Sequence, residues 1–148
     1  MSIRDLAAKT INLLALGAFA AMPAMAQDAE QQFTLELNAA AETDTGSCRL
    51  TYVASNQTDT ALDRTAYEVA VFDAQGVVTR LLVLEFGALV EGKTKILQFD
   101  LASTACSAIS RIVVNDVAAC TVAGSGDTSG VCMAGLAASS RTAIQFGI

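Results

Sequence analysis

Apolar and polar residues alternate along much of this chain, and the alternation is the feature that most constrains its fold. Phe33, Leu35 and Leu37 are separated by Thr34 and Glu36. A period of two residues is typical of a β-strand with one buried face. Strands are predicted on this basis over 33–38, 48–54, 67–73, 77–86, 94–101, 110–117 and 142–146. Short strands at about ten-residue spacing predict an all-β fold, an antiparallel immunoglobulin-like sandwich of about seven strands.

The connections between these strands are short or polar. Segments 102–109 and 133–138 are compatible with helix, and each is predicted to form a helical turn within a connection. Gly124–Gly130 is predicted to be the most flexible loop, because glycine and small polar residues dominate it. No internal repeat or linker divides the chain, so residues 27–148 are predicted to form a single domain.

Residues 1–26 have the pattern of a secretory signal peptide. Arg4 and Lys9 precede an apolar run, Pro23 ends it, and the small residues of 24–26 provide a cleavage site. The run is too short to span a membrane comfortably, since a spanning helix needs about 20 apolar residues. We therefore expect a cleaved signal peptide, no membrane span after cleavage, and a periplasmic or secreted protein.

The composition excludes several functional classes. The chain has no histidine, so Ser–His–Asp and Cys–His catalysis and histidine-ligated metals are not available to it. Its nine basic residues are outnumbered by 15 acidic ones, which gives a formal net charge of −6. Nucleic-acid binding requires clustered Lys and Arg, so a nucleic-acid partner is not expected.

The chain has four cysteines, and all of them follow the predicted signal peptide: Cys48, Cys106, Cys120 and Cys132. An even count in an exported chain predicts two disulfides. A zinc site is disfavoured because no pair has the close spacing of zinc-binding motifs. If consecutive strands reverse direction, Cys48 and Cys106 lie at one end of the sandwich, and Cys120 and Cys132 at the other. This parity favours Cys48–Cys106 and Cys120–Cys132, with Cys48–Cys120 and Cys106–Cys132 as the alternative.

The chain resembles a group of small exported proteins from alphaproteobacteria, some of which carry the label "Tat pathway signal sequence domain protein". The segments that carry the resemblance are 48–51, 67–73, 98–101 with Cys106, and 112–115 with Cys120. The resemblance covers about residues 33–146 and implies an exported protein, but it supplies no catalytic residues. Arg4 is not part of an arginine pair, so the sequence departs from the twin-arginine signal that the label implies.

Candidate catalytic and metal-binding residues are few. Ser129 lies in a loop resembling the nucleophile loop of serine proteases, but the chain has no histidine to act as its base. The carboxylates considered for acid–base chemistry on sugars are Asp73, Glu85, Asp100 and Asp116, which are expected to be solvated. The calcium candidates, Glu42 with Asp44 and Asp59 with Asp63, offer too few ligands. We therefore predict no catalytic residue, no metal and no cofactor. Asn56 begins a glycosylation sequon and is expected to lie in a turn.

The fourth predicted strand is apolar at most positions, which is unusual for a strand with one wet face. Leu81, Leu82, Val83 and Leu84 cannot all face one core. We predict Leu82 and Leu84 as a candidate interaction face, used by a protein partner or for self-association through a sheet face or edge. The predicted function is a non-enzymatic interaction or structural module. The alternative is a carboxylate-based enzyme or a small-ligand or sugar-binding protein.

Overall fold

The computed structural model describes residues 33–148, and the predicted signal peptide lies outside them. Within this region the chain forms two four-stranded sheets that pack as a sandwich. The strands are β1 (Phe33–Glu42), β2 (Cys48–Asn56), β3 (Leu62–Phe72), β4 (Val78–Glu85), β5 (Thr94–Leu101), β6 (Arg111–Val122), β7 (Leu136–Ser140) and β8 (Gln145–Gly147). A 3-10 turn spans Cys106–Ala108, and the single-turn helix α1 spans Val131–Ala134. In this part of the chain no helix is both long and apolar enough to cross a membrane.

The order of strands is β5-β2-β1-β7 in one sheet and β4-β3-β6-β8 in the other. The predicted all-β sandwich is confirmed. The structure adds two parallel pairs, β1 with β7 and β6 with β8, so both sheets are mixed rather than purely antiparallel. Each parallel pair joins strands that are not consecutive in the chain, because a parallel pair requires a crossover and cannot be closed by a hairpin.

Strand β7 was not predicted, and its first three residues fall in the segment 133–138 that was assigned to a helical turn. The helix α1 does form, but it ends at Ala134, and Leu136–Ser140 continues as a strand. Alanine and serine dominate this strand, and neither residue favours β-structure. Pairing with β1, which aligns Phe33 with Leu136, overrides the weak local preference.

The core is built around two buried tyrosines from facing sheets, Tyr52 of β2 and Tyr67 of β3. The ring of Tyr52 lies 5.9 Å from that of Phe86 and 5.2 Å from that of Phe146, in edge-on geometry. The ring of Tyr67 lies 6.0 Å from the same Phe86. Aromatic pairs of this kind contribute roughly 0.5–1.5 kcal/mol beyond the area that they bury. Phe86 therefore connects the two halves of the core.

Both favoured disulfides are present, and the alternative pairing is wrong. Cys48 bonds to Cys106 with a Cα–Cα distance of 4.7 Å, and Cys120 bonds to Cys132 at 6.1 Å. The first bond ties the start of β2 to the turn after β5, and the second ties β6 to α1. The parity argument succeeded because the unpredicted β7 comes after the last cysteine. Two disulfides point to an oxidising, extracytoplasmic environment.

The two core tyrosines differ in their hydroxyl groups, and this difference gives a first prediction. Tyr67 Oη donates a hydrogen bond of 2.8 Å to the carbonyl of Cys132, whereas Tyr52 Oη has no partner among residues 33–148. Burial raises the pKa of both hydroxyls, so both stay protonated. An unsatisfied buried polar group costs about 1–3 kcal/mol. We expect Tyr52→Phe to raise the free energy of unfolding by about 1 kcal/mol, and Tyr67→Phe to lower it by about 1–3 kcal/mol.

Urea-induced unfolding of the two variants, followed by far-UV circular dichroism, measures both changes. The substitutions remove the same atom from the same residue type, so each serves as the control for the other. A Tyr52→Phe variant less stable than the wild type would contradict the conclusion that the Tyr52 hydroxyl is buried without a hydrogen-bond partner.

Candidate functional site: the open flank at strands β4 and β5

Strands β4 and β5 are the edges of their sheets, and they lie on the same flank of the sandwich. Within the described residues, β4 pairs with β3 alone and β5 with β2 alone. Two hydrogen bonds connect their ends. Arg80 Nη2 of β4 donates to the carbonyl of Ala102, 3.2 Å away and just after β5. Lys95 Nζ of β5 donates to the carbonyl of Phe86, 2.8 Å away and just after β4.

The inward-facing side chains on this flank are incompletely covered. Leu82 of β4 and Leu97 and Phe99 of β5 pack against the core but remain only partly buried. At the opposite flank, the large inward-facing side chains are better covered: Leu136 of β7 and Phe146 of β8 are each only 8% exposed, and only the small Ala138 of β7 is partly buried. The sandwich is therefore more closed on the β7–β8 side and more open on the β4–β5 side.

The structure corrects the prediction of which β4 side chains form the exposed face. Leu84 lies opposite the buried Tyr67 and is 2% exposed, and Leu82 lies opposite Val69 and is partly buried. Residues opposite one another in an antiparallel pair point to the same side of the sheet. The pair predicted as the interaction face, Leu82 and Leu84, therefore points inward.

The exposed apolar side chains at the centre of β4 are Leu81 and Val83, which are 59% and 50% exposed, and Val78 at the start of the strand is 46% exposed. We call Leu81 and Val83 the β4 outer pair. Leu81 lies opposite Ala70 of β3, and Val83 lies opposite Glu68. Further into the sheet the outer face becomes polar, since Glu68 accepts a hydrogen bond from Asn115 Nδ2. The exposed apolar surface of this sheet is thus concentrated at its edge strand.

The edge of β4 has one protective feature at its start, an irregularity in its pairing with β3 between Val78 and Arg80, but its centre pairs regularly. Exposed edges are commonly protected by charges, proline or a bulge. Residues 81–84 are Leu-Leu-Val-Leu, and charge occurs only at the two sides, as Arg80 and Glu85. Glu85 is already paired with Arg64, at an Nη2–Oε2 distance of 2.8 Å. The centre of β4 is therefore an uncharged, apolar edge.

The carboxylates considered as catalytic groups have separate, local partners. Asp100 accepts two 2.7 Å hydrogen bonds from Arg49. These hydrogen bonds are the main reason that the pKa of the Asp100 carboxyl is lowered. Asp73 Oδ1 accepts from two backbone amides of its own turn. Asp116 Oδ1 accepts from the adjacent amide of Val117.

The remaining sequence candidates also have local structural contacts. Ser129 Oγ accepts from the amide of Val131, and its own amide donates to Cys120, so it helps to shape the loop before α1. Asn56 is buried, and its Nδ2 donates to the carbonyls of Thr60 and Leu89. The side-chain amide of the sequon is thus used inside the protein.

The calcium candidates lie in two places. Glu42 and Asp44 line a shallow surface pocket of about 460 Å³ together with the Arg49–Asp100 pair. Glu42 Oε1 accepts from the amide of Cys106 at 2.6 Å. At the second place, Asp63 Oδ2 accepts from the amide of Gly124. In the region 33–148, the structure shows no cluster of three or more His, Cys, Asp or Glu side chains able to hold a metal ion.

Fold and site together define a small disulfide-bonded β-sandwich with one more closed and one more open flank. The structure of IrmA from Escherichia coli has a similar fold, with a TM-score of 0.55 and 9% sequence identity; the match covers 72% of this chain and 90% of that one. No protein-family model and no curated protein matches the sequence. The similarity to IrmA concerns the fold alone.

Proposed function

We propose that this protein is an exported, non-enzymatic interaction module of the periplasm or cell surface, and that it binds another polypeptide at the β4–β5 flank. The observation that carries the proposal is the open flank itself, where an apolar edge strand meets incompletely covered core residues. The two disulfides support the compartment. Relationship to the small exported proteins of alphaproteobacteria is part of the same proposal.

Strand addition is the binding mode that this geometry favours. An exposed sheet edge offers backbone donors and acceptors that an extended segment can use, and side-chain contacts then give specificity. On β4 the backbone edge and the apolar outer pair, Leu81 and Val83, belong to the same strand. A partner strand would gain backbone hydrogen bonds and apolar contacts in one step.

Site-specific photo-crosslinking in the native cell envelope tests this function. A photoreactive residue at Leu81 is expected to yield a discrete crosslinked polypeptide, which mass spectrometry identifies. The matched control is Ala137 of β7, an exposed, outward-facing position on the edge strand of the more closed flank. We expect the product at position 81 to disappear when Val83 is replaced by lysine.

The double variant Leu81→Lys/Val83→Lys should lose binding of the partner polypeptide, which gives a second test. Its control, Ala137→Lys/Ser139→Lys, adds the same charge at the same spacing on β7. If the folded protein with the photoreactive residue at position 81 gives no product, or if positions 81 and 137 give the same product, the proposed function is wrong.

A further inference from the structure

We infer that the polypeptide bound at this flank is a second copy of the same chain. Strand β4 would pair antiparallel with the β4 of the partner, so that two four-stranded sheets join into one of eight strands. The inference rests on the proposed function and names its partner. Three observations lead to it: the backbone edge, the side-chain register and the uncovered flank.

The first observation is the direction of the β4 backbone groups. The amide of Phe86 donates to the carbonyl of Thr65 at 2.8 Å, so at this point the backbone faces β3. Backbone groups alternate between the two sides of a strand. Those of Leu84 and Leu82 therefore also face β3, and those of Val83 and Leu81 face the open side. The residues with exposed apolar side chains thus also carry the unpaired backbone groups.

The second observation is that β4 is complementary to itself in one register. In a continuous sheet with two-fold symmetry, opposite residues share a face, so Leu82 can lie opposite the partner's Leu82. Leu81 then lies opposite the partner's Val83, and Val83 opposite the partner's Leu81, which makes a cluster of four apolar side chains. Cross-strand apolar pairs each contribute roughly 0.2–1 kcal/mol.

The neighbouring registers give less favourable side-chain pairs on the outer face of the sheet. Moving the pairing by one allowed step in one direction places Leu81 opposite the partner's Glu85, whose carboxylate is held by Arg64. The opposite step places Val83 against the partner's Thr79, so that the only apolar pair left on the outer face is Leu81 with its own copy. The side chains therefore select the register centred on Leu82.

The third observation is the incomplete cover of the flank. Pairing through β4 brings the β4–β5 flanks of the two copies together. The partly buried Leu82, Leu97 and Phe99 then lie at the junction between the two cores. Burial of apolar surface contributes about 25 cal/mol per Å². The same contact that completes the backbone pairing would thus cover the side chains that the isolated sandwich leaves exposed.

The charge of the chain opposes self-association and sets its expected salt dependence. The chain carries a formal charge of −6, so two copies repel one another at long range, while the apolar β4 centre carries no charge to oppose contact. Salt screens repulsion between exposed charges. Self-association should therefore become tighter as salt rises, whereas binding to a basic partner protein would weaken.

Single-cysteine crosslinking tests the partner and the register together, using the exported chain with its native disulfides. Directly opposite residues in a non-hydrogen-bonded antiparallel pair have Cα atoms about 4.5 Å apart, which is within disulfide range. Leu82→Cys is therefore expected to form a covalent dimer on a non-reducing gel. In Leu81→Cys and Val83→Cys the two introduced cysteines would be diagonal neighbours about 7–8 Å apart, outside the usual disulfide range, so these variants should give no covalent dimer.

Sedimentation equilibrium of the wild type, which contains no added cysteine, makes the test independent of whether the variants fold. We expect a concentration-dependent dimer that Leu81→Lys/Val83→Lys abolishes and that Ala137→Lys/Ser139→Lys retains. Peptide mapping checks that Cys48–Cys106 and Cys120–Cys132 remain paired in every variant.

The contrary outcomes separate the two proposals. If the wild type stays monomeric and the photoreactive variant at position 81 crosslinks only to a different protein, this inference is overturned and the proposed function stands. A monomer with no product at position 81 overturns both. Equal crosslinking of the cysteines at 81, 82 and 83 would overturn the register.

Discussion

Removing the Cys48–Cys106 disulfide is expected to lower the free energy of unfolding by about 4 kcal/mol. The bond closes a loop with a sequence separation of 58 residues, and the chain-entropy model assigns that much stabilisation to the restricted unfolded state. A typical domain is stable by about 5–15 kcal/mol, so the loss is a large part of the total. The variant Cys48→Ala/Cys106→Ala, unfolded in urea and followed by circular dichroism, measures it.

The matched variant Cys120→Ala/Cys132→Ala removes a bond with a separation of 12 residues, for which the same model gives about 3 kcal/mol. Both variants keep the other disulfide, so each controls for the general effect of losing a bond. If the first variant loses less than about 1 kcal/mol, the bond has little influence on the unfolded state and the chain-entropy account fails here.

Replacing Leu84 with aspartate is expected to lower the free energy of unfolding by about 4 kcal/mol or more. Truncation of a buried leucine alone costs about 2–5 kcal/mol, and an unpaired carboxylate in the core adds a desolvation cost. Leu84 is 2% exposed and lies opposite Tyr67, so the new charge has no route to water without opening the core.

Leu81→Asp provides the control for this prediction, because it places the same residue three positions earlier on the same strand, at a site that is 59% exposed. Surface substitutions usually change stability by less than about 0.5 kcal/mol. Chemical unfolding of both variants under monomeric conditions compares them. Equal stability of the two variants would mean that Leu84 does not point into the core while Leu81 points to solvent.

The strands and disulfides were predictable because they depend on local patterns. Alternation along 33–38 and 48–54 identifies β1 and β2 directly, since one face of each strand is buried and the other is not. The parity of strand directions was sufficient to pair Cys48 with Cys106. Strand β7 was missed because Leu136–Ser140 is mostly alanine and serine, and only its pairing with β1 makes it a strand.

The candidate site was harder to predict, for a different physical reason. In 81–84 every residue is apolar, so the period of two residues separates two faces without showing which one is buried. Pairing with β3 determines which face is buried, because it places the buried Tyr67 opposite Leu84. That the flank is open depends on which strands become sheet edges, and this is a property of the whole topology. Sequence reasoning singled out β4 but assigned its exposed face to Leu82 and Leu84, whereas Leu81 and Val83 are the exposed residues.

The pairing of β1 with β7 also affects how such a chain can fold as it emerges from a ribosome or a translocation pore. Phe33 is aligned with Leu136, so the first described strand remains without one of its neighbours until almost all of the chain has appeared. Contacts between distant segments slow folding, because loop closure must precede them. The sheet containing β1 can therefore be completed only after residues 136–140 have been made, so its last parallel pair forms late in synthesis.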